Sequence, residues 1–177
     1  MMADCWKPAR SLAALLLAAG LAACAADVKP STQPTFYRDL AASDVTLDAE
    51  AAASMITGYR ANNGLEAVVL DPELMRIADA QARAMVARDK LDRNAGGNFT
   101  GELRRSGYAA KQAAENISAG YHTLAEAFSG WRDSPPHRAN MLLKGATKMG
   151  IAAVYSPNSK YKVFWALILA APDDPRG

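Results

Sequence analysis

Lys148-Met149-Gly150-Ile151-Ala152-Ala153-Val154-Tyr155 and Tyr161-Lys162-Val163-Phe164-Trp165-Ala166-Leu167-Ile168-Leu169-Ala170 are the two segments on which the fold turns. Both are short and apolar with turn residues at their ends, which reads as strands over 148–155 and 161–170. The second is apolar almost without a break, the pattern of a strand covered on both faces. Pro157-Asn158-Ser159 reads as the hairpin connection between them. Upstream, the segments are helical. Residues 47–61 stop at Asn62-Asn63-Gly64, with Gly64 suited to a left-handed cap. In Asp71-Pro72-Glu73 the Asp caps, the Pro suits a first turn and the Glu faces the positive end of the helix dipole. That helix runs to about Asp89, and its buried alanines let another layer approach closely. A shorter helix is expected over 99–106. Thr123-Leu124-Ala125-Glu126 has capping-box spacing, and Leu124, Ala127, Phe128 and Trp131 follow at i, i+3, i+4 and i+7. Helices first, a β-prone piece at 114–118 and a hairpin last give an α+β class with helices on both sides of a sheet.

The charge balance narrows the partners. With 20 Lys+Arg against 18 Asp+Glu in 177 residues, the formal charge is +2. This gives no electrostatic case for nucleic acid, which calls for a clustered basic excess. The two cysteines, Cys5 and Cys24, both lie near the N-terminus, so the body of the chain holds neither a disulfide nor a cysteine metal site. The two histidines, His122 and His137, would both be needed for any two-histidine site.

The N-terminus reads as an address. Lys7 and Arg10 form a basic head, and Ser11 to Ala23 is a run of 13 residues without a charge. A spanning helix needs ~20 apolar residues, so the run suits a secretory signal over 1–23 rather than an anchor. Leu21-Ala22-Ala23-Cys24 resembles the bacterial lipobox, in which the Cys is acylated and becomes the first mature residue. Membrane attachment is then expected through lipidated Cys24. Removing 23 residues from 177 leaves 154. Ala25 after the Cys resembles lipoproteins passed to the outer membrane. Residues 24–45, polar and punctuated by Pro30 and Pro34, read as the lipidated Cys and a flexible tether. The folded domain is expected over 46–171, and 172–177 as a disordered tail.

In order, the folded part shows Tyr59-Arg60-Ala61-Asn62-Asn63-Gly64-Leu65, Ala114-Glu115-Asn116-Ile117 with Gly120, Trp131-Arg132-Asp133-Ser134-Pro135-Pro136-His137-Arg138-Ala139-Asn140, Met149-Gly150-Ile151 and the Phe164-Trp165 strand. This resembles the CAP superfamily (cysteine-rich secretory, antigen 5, pathogenesis-related), in its cysteine-free bacterial envelope branch. The resemblance covers roughly 50–171. It implies a three-layer α-β-α sandwich with a small, mostly antiparallel sheet, and a cavity tetrad of two histidines and two acids. Glu115 and His137 match two of those positions. At the others Arg93 stands where the first His is expected, and the second acid falls at Ser134. Where family members bind zinc they use the two histidines; Arg offers no lone pair, so no metal and no cofactor is expected here.

On the residues alone, Glu115 reads equally as a surface carboxylate, and His137 as a structural imidazole fixed by Pro135-Pro136. Arg138 reads as a turn residue, and Asn140 and Trp131 as scaffold. His122 could join the cleft only if the 121–123 loop folded into it. Arg93 beside Glu115 is expected to form an ion pair with His137 next to it, keeping Glu115 ionised near neutral pH and a poor general acid. Together these point to a monomeric, non-catalytic binding module whose cleft (Arg93, Glu115, Ser134, His137) takes a lipid, glycan or protein ligand. The competing reading is an envelope hydrolase using Glu115 and His137, or Ser134 with His137 and Asp133. A third is a plain spacer between membrane and wall.

Overall fold

Every second side chain of the last strand enters a different core. In the computed structural model, which describes residues 33–173, Val163, Trp165, Leu167 and Leu169 point into one apolar cluster. Phe164, Ala166, Ile168 and Ala170 point into another. Both sets are buried, as the unbroken apolar run requires of a central strand. The strand, β4 (Val163–Pro172), lies between β3 (Lys148–Tyr155) and β2 (Ala110–Ala119), antiparallel to both. A two-residue strand, β1 (Val69–Leu70), completes the order β1-β3-β4-β2 by pairing parallel to β3. The hairpin joining β3 and β4 is as expected, although β4 begins at 163 rather than 161.

Among the described residues, five α-helices cover the sheet. On the Trp165 face lie α1 (Ala49–Ala61), α4 (Leu124–Asp133) and α5 (Pro135–Met141), with Ile56, Trp131 and Met141 fully or nearly fully buried. On the Phe164 face lie α2 (Pro72–Arg88) and α3 (Phe99–Arg105). This is the α-β-α sandwich, with alanines at the α2 seam: Ala78, Ala82, Ala152, Ala166 and Ala170 are all buried there. The helix starts follow their sequence signals. Asp48 and Asp71 accept hydrogen bonds from first-turn amides, and Thr123 with Glu126 forms the full capping box.

Three expectations need correction. The tether expected over 24–45 does not extend to residue 45, because residues 34–45 are folded onto the domain. Residues 35–37 form a 3-10 turn, Leu40 is buried, and its amide donates to the His122 carbonyl at 2.8 Å. Phe36, Ala41 and Val45 pack on the same core, so isolated apolar residues in a polar stretch suffice to dock it. Second, Pro135-Pro136 does not lead into a turn at Arg138. It opens α5, because a proline in a first helical turn lacks only an amide that would be unbonded anyway. Arg138 is therefore a helical residue. Third, β2 begins at Ala110, four residues before the β-prone piece, and ends at Ala119, one residue beyond it. Residues 1–32, with Cys24 and the signal segment, and 174–177 lie outside the described residues; Pro172 itself is still in β4 and the Asp173 amide donates to the Ala109 carbonyl at 3.2 Å.

Candidate functional site

An edge strand leaves every second carbonyl without a partner strand, and on β2 the chain fills that gap with side chains. Arg93 Nη1 donates to the Glu115 carbonyl at 3.1 Å, and Asn140 Nδ2 donates to the same oxygen at 3.1 Å. Asn140 Nδ2 also donates to Asn116 Oδ1 at 2.9 Å, while Asn116 Nδ2 donates to the His137 carbonyl at 2.9 Å. These bonds lock α5 to the edge of β2 and fix the backbone around Glu115. Arg93 is set from the other side: Gln81 Nε2 donates to the carbonyls of Asp92 and Arg93, and Gln81 Oε1 accepts from the Gly96 amide. The 92–96 loop is therefore tied to α2.

The Glu115 side chain turns to the α2 face, in register with Ile168, and is only 2% exposed. It stands on the wall of a cleft of about 270 Å³, with Ile77 and Gln81 of α2, the Gly96-Gly97 loop, and Phe99 and Glu102 of α3 among the other walls. Arg93 Nη1 is 3.7 Å from Glu115 Oε2, an ion-pair distance without a hydrogen bond, and that oxygen has no hydrogen-bond partner. Burial pushes the Glu115 carboxyl up to about 7, with the Arg93 charge pulling the other way. The pairing of Arg93 with Glu115 is as anticipated, but its expected consequence is not. Arg93 is half-exposed, so water screens its charge, while the carboxylate has lost nearly all its solvent. Desolvation prevails, and near pH 7 the acid and its conjugate base are comparably populated. His137 is half-buried, and burial first, then the Arg93 charge, hold its imidazole below the usual range, which favours its neutral form.

Of the four nominated cleft residues, Glu115 alone is on the cleft wall; Arg93 meets it without lining the cleft, and His137, also off the wall, lies within the field of Arg93. Ser134 is the junction between α4 and α5, at the N-cap of α5 without a side-chain capping bond, and is not on the cleft wall. The serine arrangement is not formed either: Asp133 accepts from Arg132 at 2.8 and 3.2 Å rather than orienting His137. His122 is turned to Asp39, 3.9 Å away, outside this cleft. One carboxyl, one imidazole and a guanidinium do not fit a zinc ion, and among the described residues no three His, Cys, Asp or Glu side chains gather as a donor set. Glu102 escaped the sequence reading. It is a second carboxylate on the cleft wall, hydrogen-bonded to Arg105, and its place in the first turn of a short helix carried no signal beyond dipole complementarity.

Comparison with known proteins bears on this geometry. The family model described as "CAP: Cysteine-rich secretory protein family" matches residues 53–169. The "Uncharacterized protein YkwD" of Bacillus subtilis (strain 168) is 27% identical over 118 residues, which are 66% of this chain and 46% of that protein. The chain thus spans about half the length of this curated relative. Among solved structures, an extracellular protein containing a SCP domain from Bacillus anthracis str. Ames superposes with a TM-score of 0.59 at 20% identity, over 68% of this chain and 39% of that one. An outer surface protein from Borrelia burgdorferi gives 0.64 at 15% identity, over 71% and 93%. A cysteine-rich secretory protein from Staphylococcus aureus subsp. aureus Mu50 gives 0.56 at 18% identity, over 69% and 38%. At these identities the structural likeness concerns the fold alone.

Proposed function

Since the chain belongs to the CAP, or cysteine-rich secretory protein, family, we propose that it is an envelope binding module, anchored through acylated Cys24, whose α2–α3 cleft holds a lipid, glycan or protein group. The observation that carries this reading is the Glu115 carboxyl: nearly fully buried on a cleft wall, with one oxygen unpartnered. A buried polar atom without a partner is costly, and a ligand hydrogen-bond donor entering the cleft would relieve that cost. Placement at the envelope or cell surface rests on the signal-like N-terminus and on relatives titled extracellular and outer surface proteins. Native mass spectrometry of the protein released from its own membranes tests the reading. The expected result is a retained small molecule that is lost in Glu115→Gln. A bare mass in both would contradict it. Acylation has its own test: metabolic labelling with a fatty-acid analogue should mark the parent and not Cys24→Ser, and an unlabelled parent would remove the lipobox reading.

A second reading has one observation in its favour. A carboxyl titrating near 7 is suited to general acid or base work, which keeps a hydrolase of envelope peptide or glycan in play, with Glu115 exchanging the proton and His137 nearby. A hydrolytic rate on cell-wall substrate that follows the Glu115 titration, and vanishes in Glu115→Gln with the cleft ligand still bound, would select it over the binding module.

A further inference from the structure

Among the described residues, three of the lysines that stand in no ion pair gather at one end of the sheet; Lys160 and Lys162, likewise outside any ion pair, lie in the β3–β4 connection. Arg76, Arg83, Arg88, Lys90, Arg93, Arg105 and Arg132 each stand within 4.0 Å of a carboxylate. Lys111, Lys144 and Lys148 stand in no such pair, and all three line one hollow of about 500 Å³ where β2 and β3 begin and β4 ends. A fourth positive charge lies beneath its rim. Arg60 is fully buried and donates to the carbonyls of Glu66, Met141, Leu143 and Ala146, in the segments that border the hollow, without a carboxylate in hydrogen-bond contact. The opposing acids are Glu66 on the hollow itself and Asp173, which follows Pro172 of its wall. Among the described residues, four cations against two acids make this a local basic concentration in a chain whose formal charge is only +2.

The floor is apolar. Val69, 54% exposed and one of few large apolar side chains open to water among the described residues, lies beside Lys148 in the β1–β3 register, with Ala171 and Pro172 across from it. Lysines around an exposed apolar spot match a ligand that is anionic at one end and greasy at the other. We propose that this hollow is a second binding site, for the phosphate headgroup of an anionic lipid, with the lysines on the phosphate and Val69 against the glyceride. The site shares no residue with the Glu115 cleft and does not depend on how that cleft is used.

Vesicle sedimentation of the full chain carrying Cys24→Ser tests it, since no acyl chain then contributes. Phosphatidylcholine vesicles report whatever the apolar residues 11–23 add; vesicles with phosphatidylglycerol report the headgroup. The expected result is stronger binding to the anionic vesicles, weakened by salt, and reduced on the order of a hundredfold in Lys111→Gln/Lys144→Gln/Lys148→Gln. Lys111→Gln/Lys144→Gln, which leaves the half-buried Lys148 in place, should lose part of it with an unchanged circular dichroism spectrum. An equal loss in Arg83→Gln/Arg132→Gln/Lys160→Gln would reduce the effect to net charge and overturn the site. Full displacement by inorganic phosphate at constant ionic strength would overturn the lipid assignment in favour of free phosphate.

Discussion

Arg93 stands 3.7 Å from the Glu115 carboxylate yet directs its hydrogen bond to the Glu115 carbonyl, 3.1 Å away. The guanidinium serves first as a cap on an edge strand and only second as a counter-ion. That division leaves the carboxyl undersupplied with partners, and its titration follows.

Stability should fall with rising pH across a defined window. The folded-state pKa of Glu115, about 7, lies above the ordinary 4.5. The unfolded chain therefore ionises it more easily. The contribution is full below about pH 4.5, declines as pH rises toward 7 and is level beyond, a span of about 3 kcal/mol at most. Urea denaturation of Glu115→Gln against the parent, from pH 4.5 to 8, should show the parent losing ground and the variant lacking that slope.

Arg60 should be among the costliest residues to replace. Arg60→Met leaves the carbonyls of Glu66, Met141, Leu143 and Ala146 without this donor. By analogy with breaking a buried charged network, about 3–5 kcal/mol is expected in equilibrium unfolding. Arg60→Lys should recover only part, because one ammonium cannot span four acceptors in the fork geometry.

Gly150→Ala should fail where most glycine-to-alanine changes are mild. A methyl there would sit inside the backbone of Leu74 and Met75, so α2 must lift from the sheet. A loss of at least about 2 kcal/mol is expected from overpacking. Thermal unfolding at unchanged pH reads it.

Asn140→Ala should loosen the cleft without emptying the core. It removes donors to the Glu115 carbonyl and to Asn116 Oδ1, costing about 1–3 kcal/mol. Hydrogen exchange should quicken in β2 around 115–117 and in α5, while β4 amides stay protected. Uniform loss of protection would show that this network is not local.

Leu40→Ala tests the docked segment. Its side chain is 5% exposed, so truncation should cost about 2–3 kcal/mol. A value near zero would return residues 34–45 to tether.

What the sequence made legible was whatever local chemistry decides. Asp71-Pro72-Glu73 and the Thr123–Glu126 box state a helix start within a few residues, and Val163 to Ala170 states a two-sided strand. What depends on distant partners was not legible. β1 is two residues long and exists because β3 lies beside it. Leu40 and Phe36 look like strays until the core that receives them is known. At the site, the meeting of Arg93 and Glu115 came from family resemblance. The titration of Glu115 did not, because it is set by how much water the fold removes from each partner. Glu102 entered the cleft through the packing of α3, which no spacing encodes.

The two faces of β4 differ in bulk as well as in direction. One carries Val163, Trp165, Leu167 and Leu169; the other alternates Phe164 and Ile168 with Ala166 and Ala170. A slip of one residue against β3 would exchange the faces. Trp165 would then be driven to the α2 side, opposite Ala152 or Val154, into the place held by Ala166 or Phe164, while the small Ala166 and Ala170 would enter the other core. Misregistered pairings are thus rejected by volume rather than by polarity, which a strand apolar on both sides could not use to tell one face from the other.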